Sequence, residues 1–350
     1  MAYTTIDDPS AYFQTALWTG NGSARSITLD GNSDMQPDWV WIKRRNSARN
    51  HAVLDSVRGG SKQLKSNSSD AEGTDAQLIT SFDSDGFSLG TSSDCNSSSD
   101  TFVGWCWKAS GSTASNTDGS ITSTVSASTT AGFSIVSYTG TGANATVGHG
   151  LGAAPQVFII KNRSASGEWP MYHEDLTNAE QVSLFWADTG AVSGTSALRY
   201  NNTAPTSSVF SLGSSSLYNG SGNNMIAYCF AEKQGYSKMG SYIGNGNADG
   251  TFIFTGFKPA FLLIKNKTSS STNWHIYDNK RLGYNVDNDM QRANLNNADQ
   301  TDDDLDILSN GFKLRRVTSA LSTNGDTYIY MAFAENPFVT SGVKLPTTAR

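Results

Sequence analysis

One short pattern occurs three times in this chain, and it limits the fold more than any other feature. Trp18-Thr19-Gly20-Asn21-Gly22 returns as Tyr138-Thr139-Gly140-Thr141-Gly142 and as Tyr242-Ile243-Gly244-Asn245-Gly246. A proline, an apolar run and a lysine follow each time, at Pro37 to Lys43, Pro155 to Lys161 and Pro259 to Lys265. Each copy closes on an aromatic-rich apolar run, and the spans Trp18 to Trp105, Tyr138 to Tyr228 and Tyr242 to Met331 are 87, 90 and 89 residues. Self-similarity at a fixed spacing means that one supersecondary unit is built several times. The fold must therefore be one that about 90 residues can make.

Within a unit the apolar residues come in runs of four to seven, bounded by Asn-Gly, Asp-Gly and Ser clusters, which is the signature of strands and hairpins. Ser, Thr, Asn and Gly number 48, 34, 28 and 33 of 350 residues, a bias towards turn formers and small strand residues. Six to eight short strands per unit predict an all-β chain of three tandem antiparallel β-sandwich or jelly-roll-like repeats. The expected boundaries are an N-terminal docking segment at 1–17, repeats at 18–109, 132–234 and 235–336, and a tail at 337–350. Between the first two repeats, 110–131 reads as a Ser/Thr-rich linker or an added edge strand. Tandem sandwiches predict an elongated rod, and its open edges predict a homo-oligomer.

Several function classes are disfavoured. The longest apolar runs, Met225 to Ala231 and Tyr328 to Ala334, are seven residues against the roughly 20 that a spanning helix needs, so no membrane insertion is expected. The first ten residues have no basic or apolar stretch of a secretory signal. Net charge is −6, and basic residues are scattered apart from Lys43-Arg44-Arg45, so nucleic acid is not an expected partner. Cys95, Cys106 and Cys229 form no disulfide framework, which fits synthesis in a reducing cytoplasm.

No catalytic constellation stands out. Of the four histidines, His51, His149, His173 and His275, His51 and His275 read as structural groups at a strand end and His149 as part of a turn. Asp302-Asp303-Asp304 with Asp306 lacks the glycine and distal glutamate of a calcium loop, so neither metal nor cofactor is expected. Glu72, Glu168, Glu174, Glu180, Glu232 and Glu335 offer no glycosidase pair. Lys161 with Glu232, and Lys265 with Glu335, are expected to bond across strand ends. Aromatics whose counterparts in the other copies carry no apolar side chain are free for recognition. Trp186, Tyr200, Tyr218 and Tyr284 are the candidate surface or glycan contacts on this ground, since a ring covers a sugar's C–H face. Tyr12 and Phe13, beside Asp7 and Asp8, are the candidate docking residues of the N-terminal segment.

The Gly-x-Gly opening, the Pro-apolar-Lys strand, the closing aromatic strand and, in the second copy, Val147-Gly148-His149-Gly150-Leu151 together resemble repeat modules of virion structural proteins from marine tailed bacteriophages, of tail-fibre-like type. The resemblance spans all three units and the start of the chain. It implies a β-rich, non-enzymatic virion component made in the host cytoplasm, a tail-fibre-type appendage contacting the host surface and other virion proteins. The alternatives are a capsid decoration or tail adaptor binding only virion proteins, and a polysaccharide-degrading enzyme.

Overall fold

The computed structural model describes residues 3–282, 285 and 288–340, and these are almost entirely antiparallel strand. Three large sheets share one arrangement. An opening strand (Phe13–Thr19, Phe133–Thr139 or Ser237–Ile243) pairs with a closing strand (Thr101–Trp107, Asn224–Phe230 or Thr327–Pro337). The closing strand then pairs with a lysine strand (Trp39–Arg44, Val157–Asn162 or Phe257–Asn266), and that strand with a return strand (Ala52–Asp55, Pro170–His173 or His275–Asp278). Register matches too: Trp107, Phe230 and Phe333 stand opposite the first residue of each opening strand.

Each large sheet is backed by a small one, made of Arg25–Ile27, Gly86–Leu89 and Ile79–Asp83 in unit 1, Ala145–Gly148 and Val209–Leu212 in unit 2, and Phe252–Phe254, Gly311–Leu314 and Leu305–Leu308 in unit 3. The same edge-on contact joins the two layers each time. Trp18 meets Phe87 at 5.8 Å, Tyr138 meets Phe210 at 6.1 Å and Tyr242 meets Phe312 at 6.2 Å between ring centroids. Each unit is thus a two-layer sandwich with an aromatic bolt.

The lysine strands are apolar on consecutive residues because both of their faces are covered. Val40 and Ile42 point into the unit 1 sandwich with Leu54 and Phe87. Trp39 and Trp41 point the other way, into a core shared by all three units. Side chains alternate along a strand, so a run without alternation needs a second cover, and here the other units supply it. Phe333 lies 5.5 Å from Trp107 and 5.8 Å from Phe230, so the three closing strands meet at one aromatic centre. Only about 10 Å³ remains open among Trp39, Trp41, Trp107, Trp186 and Phe261, too little to admit water comfortably.

The expected rod is therefore corrected. Units strung in a line would leave three apolar sheet faces in water, and gathering them buries those faces together. The stretch 110–131 forms two strands, Ala114–Asn116 and Ser123–Ser128, the second paired with Phe133–Thr139 from Ser128↔Phe133 to Thr124↔Ser137, so it is an added edge and not a linker. The boundary at residue 17 cuts through the first opening strand, and Phe13 has counterparts in Phe133 and Ser237. Ahead of it, Tyr3 donates to the Gly256 carbonyl at 2.6 Å and Thr4 to that of Gln234 at 2.7 Å, so the start of the chain lies on the last unit.

Candidate functional site

The polar groups with the most chemical potential lie along the seams between units. Lys43 Nζ donates to the carbonyls of Arg44 and Asn296, at 2.7 and 3.3 Å. Lys161 donates to Ser69 and Gly167, and Lys265 to Thr189 and Thr272. Unit 1 thus reaches unit 3, unit 2 reaches unit 1 and unit 3 reaches unit 2, a closed cycle. Two residues on, the cycle repeats: Arg45 bonds Asp299 at 2.7 Å, Arg163 bonds Glu72 at 2.7 Å, and Lys267 donates to the Asp175 carbonyl at 2.6 Å. Burial brings each of the three strand-end lysines down to about 8.

A third rung follows. His51 Nε2 faces the carbonyls of Arg292 and Leu295 at 3.0 and 3.1 Å, while Trp169 Nε1 donates to Lys65 and Ser68 and Trp274 Nε1 to Phe185. The Trp41 indole N–H donates to His51 Nδ1 at 2.8 Å, so the ring's proton sits on Nε2. His51 thus does a tryptophan's work here, and burial holds it well below the ordinary imidazole value. Its counterparts are Trp169 and Trp274; by strand register His275 matches Ala52 and Pro170 instead.

The last return-strand residue reaches the opposite way round, to the closing strand of the following unit. Asp55 accepts from Arg58 at 2.5 Å and from the Tyr228 hydroxyl at 2.7 Å. Asp278 accepts from Arg281 at 2.6 Å and from Trp105 Nε1 at 2.9 Å. His173 takes this place in unit 2, with Nε2 3.4 Å from the Tyr330 carbonyl and Nδ1 accepting from Asp175 N–H. The expected pairs of Lys161 with Glu232 and Lys265 with Glu335 do not form, because these lysines are drawn to carbonyls across the seams. Glu232 instead meets Lys238 and Met239 N–H, and Glu335 meets Lys258 and Asn279.

The proposed recognition aromatics need correction. Trp186 is 1% exposed and lies against Trp41, Trp169 and Trp39 at 4.6, 5.7 and 6.4 Å. Tyr200 and Tyr218 are also 1% exposed, their hydroxyls sharing Ser183 Oγ at 2.8 Å each. Side chains so enclosed reach no host surface. Trp186 meets Trp39 and Trp41 of unit 1, so a filter that compares each residue only with its copies mistakes a seam residue for a free one, whereas Tyr200 and Tyr218 fill the core of their own unit against Phe158, Tyr172 and Tyr138. Tyr284 lies outside the described residues. Phe13 is buried against Trp107, Phe261 and Phe333, and Tyr12 is half-buried edge-on to Tyr236 at 5.9 Å, so neither ring is a free docking contact.

The remaining chemical candidates are engaged as well. Asp302 and Asp304 face Arg316, Asp304 also accepts from the Tyr277 hydroxyl at 2.7 Å, and Asp306 pairs with Arg315. Among the described residues no three His, Cys, Asp or Glu side chains are grouped to hold a metal ion, and no helix is long and apolar enough to cross a membrane. All three cysteines are free and buried, their thiols pushed up by desolvation.

Two open clefts lie beside opening strands. The first, about 210 Å³, is lined by Phe13, Gln14, Gly31, Lys280 and Glu335. The second, about 450 Å³, is lined by Glu174, Asp175 and Glu232 of unit 2 and Phe252, Phe254 and Tyr330 of unit 3. Phe252 and Phe254 are 44% and 55% exposed, and sequence reasoning passed over them. Strand register sets Phe252 with Ser26 and Thr146, and Phe254 with Thr28 and Gly148. Comparison with those polar or small counterparts would have singled both out.

A family profile described as a domain of unknown function (DUF7483) matches residues 8–337. Comparison with curated proteins and with solved structures found no match.

Proposed function

We propose that this chain, which belongs to that domain family along nearly its whole length, is a non-enzymatic structural protein of a tailed-phage virion, built as a tail-fibre-type appendage. The observation that carries this reading is how the reactive side chains are used. His51, His173, Lys43, Lys161, Lys265, Asp55 and Asp278 are buried and spent on bonds along the seams, an arrangement suited to stiffness rather than turnover. The likeness of the repeated motifs to phage modules supports the setting.

Burial of Trp186, Tyr200 and Tyr218 favours a second reading, in which the protein binds only other virion proteins as a decoration or adaptor. Purified protein that blocks phage adsorption to host cells supports the appendage reading; binding to isolated capsids or tails alone supports the adaptor. Release of reducing sugar from host polysaccharide would overturn both in favour of a depolymerase.

A further inference from the structure

The three opening strands meet three equivalent clefts, and the chain fills one of them with its own backbone. In unit 2 the strand Ser123–Ser128 lies along Phe133–Thr139, with Ser126 opposite Ile135. It sits against Gly150, where an added Cβ would stand 3.1 Å from Ala127, and its Ser126 hydroxyl lies 3.1 Å from that of Ser110 at the exit of the unit 1 closing strand. The residues before it continue over the small sheet. Ile121 bridges to Val147, Ser120 bonds Thr146 through both backbone and hydroxyl, and Ser123 donates to the Gly148 carbonyl at 2.9 Å.

Among the described residues, unit 3 presents the same surfaces without that cover. Met239 and Ser241 stand where Ile135 and Ser137 stand in unit 2, on the outermost strand of their sheet. Phe252 and Phe254 stand where Thr146 and Gly148 are covered. Unit 1 lacks the cover too, but there the matching positions are exposed Ser26 and Thr28, and Gln14 spans the cleft by bonding Gly31 N–H, the Ser10 carbonyl and the Ser33 carbonyl. Unit 1 is finished in polar residues suited to water. Unit 3 leaves two phenylalanines exposed at an open strand edge.

Charge narrows what fits. Glu174, Asp175 and Glu232 line the unit 3 cleft, with Lys238 as the one cation among its lining residues. Tyr330 is 3% exposed as a residue and also borders this space. We propose that the unit 3 cleft is a docking groove for an extended segment of a partner protein, added as an antiparallel strand to Ser237–Ile243. The segment alternates small and apolar residues and carries a Lys or Arg that meets the three carboxylates. Its backbone takes the place that Ser123–Ser128 has in unit 2, and its apolar side chains cover Phe252 and Phe254. The Glu232 carboxylate, which holds Met239 N–H at 2.6 Å, is displaced by the incoming carbonyl. This inference goes beyond the virion reading and does not depend on it, since it concerns only what chemistry the groove accepts.

The test uses the full chain and two fluorescent peptides, one copying residues 119–129 and one the same with Ser126→Lys. The lysine peptide is expected to bind more tightly at low salt, with the difference shrinking as salt rises. Binding should protect backbone amides of Ser237–Ile243 from hydrogen exchange. Phe252→Ser with Phe254→Thr installs the residues of unit 1, and should weaken binding about tenfold or more while leaving Tm unchanged. Failure of both peptides to bind at millimolar concentration overturns the proposal. So does binding that leaves those amides unprotected, or binding that the double variant does not weaken. Capture of a soluble glycan through Phe252 and Phe254, without amide protection of the strand, also overturns it.

Discussion

The three seams of this molecule perform one task with different chemistry. Where unit 1 meets unit 2, Asp55, Arg58 and Tyr228 form a fully buried ionic knot, extended by Glu72 to Arg163. Where unit 3 meets unit 1, Asp278, Arg281 and Trp105 repeat it, extended by Asp299 to Arg45. Where unit 2 meets unit 3, the same places hold His173 and the carbonyls of Tyr330 and Asp175, with no buried carboxylate–guanidinium pair among the described residues. A neutral imidazole makes few bonds but leaves no charge stranded when the seam opens. A buried ion pair is the reverse: it adds little over an apolar equivalent, yet removal of one partner is severe.

The largest expected effect follows from that asymmetry. Arg58→Met leaves Asp55 buried with only the Tyr228 hydroxyl and backbone for company, and Arg281→Met does the same to Asp278; each is expected to cost about 3–5 kcal/mol. His173→Gln keeps a donor and removes no charge, so about 1 kcal/mol is expected. Urea unfolding of the three variants measures this directly. Equal losses would mean that the ionic seams and the neutral seam do not differ.

Acid should test the histidine of the neutral seam next. Burial brings His173 down to about 4 against its free value of 6.5, with Asp175 pulling it up and Lys267 pushing it down. Between those values the unfolded chain binds the proton and the folded chain does not, so stability is complete above about pH 6.5 and declines as pH falls towards 4. At pH 4.5 the loss from this one residue is on the order of 2 kcal/mol. His275, brought down to about 3, and His51, held well below the ordinary value on the unit 3–unit 1 seam, add to the same trend, whereas Asp278 is held below its usual range by Arg281 against the pull of burial and keeps its own bonds. The fall in Tm from pH 7 to 4.5 should be smaller in His173→Gln than in the unaltered chain. An unchanged fall would place the acid sensitivity elsewhere.

Alkaline pH probes a feature common to all seams. Lys43, Lys161 and Lys265 are brought down to about 8 by burial, so between pH 8 and 10 the unfolded chain holds protons that the folded chain releases. Their contribution to stability therefore rises with pH over that window. Replacing all three by Met should flatten the rise in Tm, and a rise that survives would show that the lysines remain charged on their carbonyls.

Much of a single unit was legible in the chain itself. Asn-Gly turns and short apolar runs specify strands locally, and the fixed spacing from proline to lysine marks the same strand three times. The relation between units was not legible, because burial on the second face of a strand looks the same whether a partner sheet lies in its own unit or in another. Trp39 and Trp186 show the cost: both read as ordinary or spare aromatics, and they meet only when three sheets close around one centre. The seam partners are as distant in sequence as Lys43 and Asn296, and no local pattern announces a carbonyl as an acceptor. Phe252 and Phe254 were within reach, since their polar counterparts are visible once the short strand before each glycine turn is aligned.

The smallest effect concerns how open strand edges are kept apart. Unit 2 covers its edge with Ser123–Ser128, whereas unit 3 spends one carboxylate, Glu232, on the outward Met239 N–H. Glu232→Gln keeps an acceptor at the same reach and should change stability by under about 0.5 kcal/mol. Glu232→Ala strips the bond from a partly exposed edge and should cost about 1 kcal/mol. The alanine change has a second consequence that the glutamine change lacks, because an edge with a free N–H beside Phe252 and Phe254 is a template for another strand. Sedimentation velocity at rising concentration should therefore show reversible self-association of Glu232→Ala, weaker or absent in Glu232→Gln, and suppressed when Phe252→Ser and Phe254→Thr are added. If the alanine variant stays as monodisperse as the parent chain, Glu232 is not what guards this edge, and the difference between a strand-covered and a carboxylate-covered edge is one of stability alone.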